Sequence, residues 1–165
     1  MANIYLNKLE NKIKAYNLAL SDKKTILNLS LNTRGNLGDN RIVKKQNKHK
    51  SLKIEKVVSD QLDNYTSKLN KKNTLIFMDT QGYEPYIIKG GKRTMKKKIP
   101  IVIEFSPLLL DKNWIKNFSE LFKNYRYFYN LHGQNNRNVL SKNNLMKLFN
   151  QLKTKEKNYT DLMIT

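Results

Sequence analysis

Residues 73–107, NTLIFMDTQGYEPYIIKGGKRTMKKKIPIVIEFSP, constrain this chain more than any other stretch. Leu75, Ile76, Phe77 and Met78 form an unbroken apolar run, as expected of a strand buried on both faces of a parallel sheet. The run Ile99, Pro100, Ile101, Val102, Ile103 has the same character and ends on Glu104. Roughly twenty residues separate the two runs, room for one helical crossover. The loop after the first run carries Asp79, Gln81 and Glu84. Carboxylates therefore stand where two strands stop, the place where open α/β sheets bind ligands.

Composition narrows the classes of function. A chain of 165 residues is long enough for one domain, 1–165, with a real core. It has no run of eighteen apolar residues, so no membrane span is expected. The first residues, MANIYLNKLENK, lack the apolar centre of a signal peptide. Cysteine is absent, which fits a reducing, cytoplasmic setting. His49 and His132 are the sole histidines, each in a polar context, so no imidazole metal site is expected. The formal charge of +19 invites a nucleic-acid reading. Only five of the 32 basic residues are Arg, however, while Asn reaches 23. Arg is the residue that reads bases and phosphates bidentately. A/T-rich codons specify Lys, Asn and Ile, so codon bias alone is sufficient to generate such a composition. Nucleic acid is the minor reading, and anionic small molecules or glycans remain compatible with the charge.

Along the chain, residues 3–12 read as the end of a helix and Ile13–Leu18 as a strand. Lys23–Leu31 alternates as a strand, and 32–40 is a Gly/Asn turn in which Gly35 and Gly38 suit a hairpin. Arg41–Val43 reads as the returning strand, 46–51 as a solvated loop, and Leu52–Val58 as another strand. Ser59 then suits the N-cap of a helix over Asp60–Leu69. Glu84–Ile88 and Lys92–Lys98 read as helix segments interrupted at Gly90-Gly91 and stopped by Pro100. Trp114–Lys123 has apolar residues on one helical face. Tyr125–Leu131 reads as a strand, Ser141 as the N-cap of a helix over Asn143–Leu152, and Asp161–Ile164 as a last strand. The aromatic set Trp114, Phe118, Phe122, Tyr125, Tyr127 and Phe128 is expected in the core. Tyr83 and Tyr86 are candidates for the mouth of a site.

Asp79-Thr80-Gln81-Gly82-Tyr83-Glu84, then Lys89-Gly90, then Glu104 at a strand end, resembles the FkbM-type family of S-adenosylmethionine-dependent methyltransferases. Upstream, Tyr16-Asn17-Leu18-Ala19-Leu20-Ser21-Asp22 is similar to that family's Ala-Leu-Ser-Asp strand end. The resemblance runs from near the first residue to about Pro107, and more weakly to the terminal strand. It implies an α/β fold, a partial class I methyltransferase (Rossmann-like) three-layer arrangement. Its sheet would be mixed and mostly parallel, with an antiparallel C-terminal strand. The full family orders its strands 3-2-1-4-5-7-6. Ile13–Leu18 would be strand 3, so the glycine-rich turn after strand 1 and the acidic end of strand 2 would be missing. None of the six glycines makes a Gly-x-Gly-x-x-Gly turn. The expectation is an N-terminally shortened member, the C-terminal two thirds of the family fold, with an open edge at strand 4.

The activity implied is methyl transfer from S-adenosylmethionine to a hydroxyl oxygen of a small molecule or glycan. Asp79, Glu84 and Glu104 are the implied catalytic residues, and Ala19, Ser21, Asp22, Asp79 and Gln81 the implied cofactor contacts. Read as residues alone, Asp79 equally suits a turn cap, and Glu84 a first-turn helix glutamate. Ser21 and Asp22 equally suit a turn after a strand. Two further readings stay open: an inert or split-gene fragment that needs an N-terminal partner or pairs with its own copy through the open edge, and a basic nucleic-acid-binding module. The methyl acceptor and oligomeric state are not legible.

Overall fold

The computed structural model describes residues 2–32, 39–43, 52–133, 136–155 and 158–165. In chain order these form α1 (Ala2–Leu6), β1 (Ala19–Ser21), β2 (Thr25–Asn32), β3 (Arg41–Val43) and β4 (Leu52–Gln61). A 3-10 turn (Leu62–Asn64), β5 (Ile76–Met78), α2 (Glu84–Lys89), α3 (Lys92–Lys96) and β6 (Ile101–Phe105) follow. The remainder is α4 (Trp114–Asn117), α5 (Ser119–Asn124), β7 (Tyr127–Asn130), β8 (Arg137–Val139), α6 (Lys142–Lys153) and β9 (Thr160–Ile164). The Gly35–Gly38 turn and the 46–51 loop lie outside the described residues.

The fold is α/β, with two mixed sheets in place of the single one expected. One has the order β1-β4-β2-β3, the other β5-β6-β9-β7-β8. Only β1–β4 and β5–β6 pair in parallel; β2–β3, β2–β4, β6–β9, β7–β8 and β7–β9 are antiparallel. The expected mostly parallel sheet is thus corrected to a mostly antiparallel pairing. Connection length enforces two of these pairings: the links from β2 to β3 and from β7 to β8 are too short for a crossover.

Alternation along β6 explains where the core sits. Ile101, Ile103 and Phe105 are fully buried on one face, level with Ile76 and Met78 of β5 and with Ile164 and Leu162 of β9. Against that face pack Ile87 and Ile88 of α2, Met95 of α3, Trp114 of α4, Leu121 of α5, and Leu145 and Leu152 of α6. Each fully buried Ile or Leu contributes about 1.5–3 kcal/mol. All five of these helices cover one face, so three layers do not form around this sheet among the described residues. Phe77, on the opposite face, is 67% exposed, and no described strand pairs with the outer edge of β5.

Four local expectations change. Ser59 does not start a helix: it lies within β4, buried, and its hydroxyl donates to the carbonyls of Lys23 and Thr25 at 3.1 and 3.0 Å. Residues 60–69 give only the short 3-10 turn, and Asp63 within it caps α3. Its carboxylate accepts from the backbone N–H groups of Arg93 and Thr94 at 2.9 and 2.8 Å and from the Thr94 hydroxyl at 2.7 Å. The helix expected over Trp114–Lys123 is broken at Phe118 into α4 and α5, while Trp114, Phe118, Tyr125 and Phe128 are buried as expected. The first strand lies at Ala19–Ser21, beyond the expected Ile13–Leu18. Ser141 does cap α6, accepting from Asn144 N–H at 3.2 Å.

Candidate active site

The two parallel strands β5 and β6 end side by side, because Met78 is level with Ile103. Asp79 and Glu104 follow those positions and alternate away from the helices, so both lie at the same end of the outer face. Gln81 joins them: its amide donates to Asp79 Oδ1 at 3.1 Å and to Glu104 Oε2 at 3.3 Å. The loop reaches that pose through positive φ at Gln81 (53°) and Gly82 (88°), the second a region that favours glycine. A Cβ on Gly82 would also lie 2.5 Å from the Leu109 carbonyl oxygen.

Glu84 opens α2 and is fully buried. Its Oε1 accepts from Thr80 N–H and Oγ1 at 2.7 and 2.9 Å, whereas Oε2 is buried without a partner among the described residues. Burial raises its pKa, and the Asp79 charge adds to that. Glu104 is half-buried and pushed up to about 7, first by burial, then by repulsion from Asp79, Glu84, Asp161 and Asp39. In a chain of charge +19 this is a locally acidic end. Asp161 belongs to it because β9 pairs with β6 in the register that sets Asp161 opposite Glu104. The sequence reading did not single out Asp161; an acidic residue heading the last strand was the available signal.

Two concavities meet at this end. One, of about 340 Å³, is lined by Leu18, Ala19, Leu20, Leu29, Ile42 and Ile87, with Asn40, Asp79, Thr80 and Tyr83 supplying its polar atoms. The other, of about 440 Å³, contains Gln81, Tyr83, Tyr86, Arg41 and Asp111. Ile42 and Tyr83 line both, so they form one cleft with two compartments. Tyr83 and Tyr86 stack at 4.7 Å between ring centres, and the Tyr86 hydroxyl bonds to Asp111.

Ser21 and Asp22 hold the wall of this cleft. Ser21 is buried, its hydroxyl 3.1 Å from that of Tyr83, and Asp22 pairs with Lys89 at 2.6 Å. A Cβ on Gly90 would sit 2.0 Å from the Ser21 carbonyl oxygen, so the chain needs glycine here to bring α2 against β1. The Ser21-Asp22 and Lys89-Gly90 elements, 67 residues apart for the ion pair, are therefore two sides of one contact. The structure thus gathers Asp79, Gln81 and Glu104 together, sets Ala19 across the cleft from Asp79, buries Glu84 behind them, and engages Ser21 and Asp22 with Tyr83 and Lys89.

Among the described residues no cluster of three or more His, Asp or Glu side chains could hold a metal ion, and no helix is long and apolar enough to cross a membrane. Comparison with known proteins finds no family model, no curated protein and no solved structure that matches the chain.

Proposed function

We propose that this chain transfers a methyl group from S-adenosylmethionine to a hydroxyl oxygen of a small molecule or glycan. The observation that carries this reading is the pairing of Asp79 and Glu104 through Gln81 at adjacent parallel strand ends, beside a two-compartment cleft that Asp79 and Gln81 line. The order β5-β6-β9-β7, with parallel, antiparallel and antiparallel senses, supports it, being the 4-5-7-6 succession that the resemblance implies.

The residues present fit such a cofactor in chemical type. Leu18, Ala19, Leu20, Leu29 and Ile87 offer an apolar wall for a nucleoside, and Asp79 with its acidic neighbours suits a cationic group. When bound, the cofactor supplies an electrophilic methyl carbon on a sulfonium. Asp79 holds the polar side of that compartment. Gln81 fixes the two carboxylates relative to each other. Glu104, titrating near 7, takes the proton that the acceptor hydroxyl loses, since a base works best when its pKa lies near the operating pH. Ser21 and Asp22 act through Tyr83 and Lys89, as positioning residues.

Isothermal titration with S-adenosylmethionine, followed by transfer of a labelled methyl group to alcohol acceptors, tests this. Micromolar donor binding is expected. Asp79→Asn should weaken it about tenfold, a loss of roughly 1.4 kcal/mol. Glu104→Gln should keep donor binding and slow transfer by about 10²–10⁴. A chain that neither binds the donor nor transfers the label overturns the reading. The open edge of β5 and the exposed Phe77 favour a second reading, a subunit whose sheet is completed by another polypeptide. That reading expects no donor binding by the isolated chain.

A further inference from the structure

Tyr86 also lines another cavity, of about 470 Å³, whose charged lining is mostly lysine. Lys89 of α2, Lys92 of α3, Lys116 of α4 and Lys123 of α5 line it, along with Asn113, Asn117, Ser119 and Glu120. Four exposed lysines and one glutamate therefore border it. Two of them are engaged: Lys89 with Asp22 at 2.6 Å, and Lys123 with Glu120 at 2.9 Å. Lys92 and Lys116 have no ion pair among the described residues.

Asn117 gives a second, independent observation. It is only 6% exposed, yet its side chain makes no hydrogen bond to any described residue. Its amide atoms are not sealed from solvent, since among the described residues Glu84 Oε2 alone is buried without a partner, so they are open to a guest in the cavity that Asn117 lines. Asn117 and Lys116 are neighbours in α4 and line the same cavity. Point-charge lysines plus a neutral amide donor are the groups that bind a compact, multiply charged oxyanion.

We infer that this cavity binds a phosphate group, and that the methyl acceptor is a phosphate-bearing hydroxyl compound. Tyr86 lines both the lysine cavity and the compartment that holds Gln81, so one molecule can span the two. The acceptor class rests on the methyl-transfer reading; the phosphate site does not.

The test is a titration of the full chain, without any methyl donor, with inorganic phosphate and with pyrophosphate against chloride at equal ionic strength. The Asn117 side-chain amide is followed by NMR. Saturable shifts with phosphate and pyrophosphate, and none with chloride, are expected. Lys92→Gln with Lys116→Gln should weaken pyrophosphate binding about tenfold or more. Lys68→Gln with Lys71→Gln removes the same charge from exposed positions away from the cavity and should leave binding within about twofold. Equal weakening by both pairs would overturn the inference, because it would mean that diffuse charge binds the anion. So would an amide that responds to chloride as it does to phosphate. Donor binding without phosphate binding sinks only this inference; phosphate binding without donor binding sinks the methyl-transfer reading and leaves the anion site standing.

Discussion

The two faces of the five-stranded sheet follow opposite rules although the same strands build both. In β6, Ile101, Ile103 and Phe105 point into the helices and are wholly buried, while Glu104 between them is half-buried at the acidic end. In β5, Met78 is buried and Phe77 beside it is 67% exposed. The covered face holds the helix-packed core; the other face keeps Val102 buried but leaves Phe77 exposed and carries Asp79, Glu104 and Asp161 at one end. Stability and chemistry are thus divided by the period-two alternation of a strand.

Substitutions that probe this division differ sharply in size. Phe105→Ala, on the covered face against Trp114 and Phe149, should cost about 3–5 kcal/mol in urea unfolding. A cost below about 1 kcal/mol would break the comparison by showing a loosely packed core. Gly90→Ala should cost about 1–3 kcal/mol, since its added methyl must push α2 away from the Ser21 carbonyl. A neutral change there would mean that β1 does not rest on α2.

On the open face the expected effects are smaller and depend on pH. The folded pKa of Glu104 lies near 7, above its ordinary value, so the folded state holds an extra proton between about 4.5 and 7. Ionising Glu104 therefore costs folding stability as pH rises through that window. Glu104→Gln should remove this contribution, so the variant gains stability relative to the parent as pH rises from 4.5 to 7, and the thermal midpoints record the difference. A difference that shrinks as pH rises would reverse the sign and refute the electrostatic reading. Smallest of all, Phe77→Ala should change stability by no more than about 0.5 kcal/mol. A loss of several kcal/mol would show that the outer face is covered after all.

Much of the five-stranded sheet was legible. Its apolar runs are long for their strands, and Ser141 is a local signal that the backbone answers directly. Asp79 and Glu104 came together because parallel strands joined by one crossover bring their ends to the same side. What escaped was settled by contacts between distant segments. Asp63 looks like a helix residue until α3 presents its free N–H groups. Ser59 looks like a cap until β2 offers two carbonyls. The contacts of Ser21 and Asp22 with Tyr83 and Lys89 come into being only when α2 docks against β1. The lysine cavity draws on four helices, so its members are scattered in the sequence and cluster only in space.

The methyl-transfer reading depends on Glu104 being coupled to Asp79 across the strand ends. The most direct measurement is the carboxyl carbon of Glu104 followed by NMR through a pH titration, in the parent and in Asp79→Asn. The expected result is a midpoint near 7 in the parent that moves down toward the ordinary glutamate range when the Asp79 charge is removed. A Glu104 that titrates near 4.5 in both proteins would contradict it.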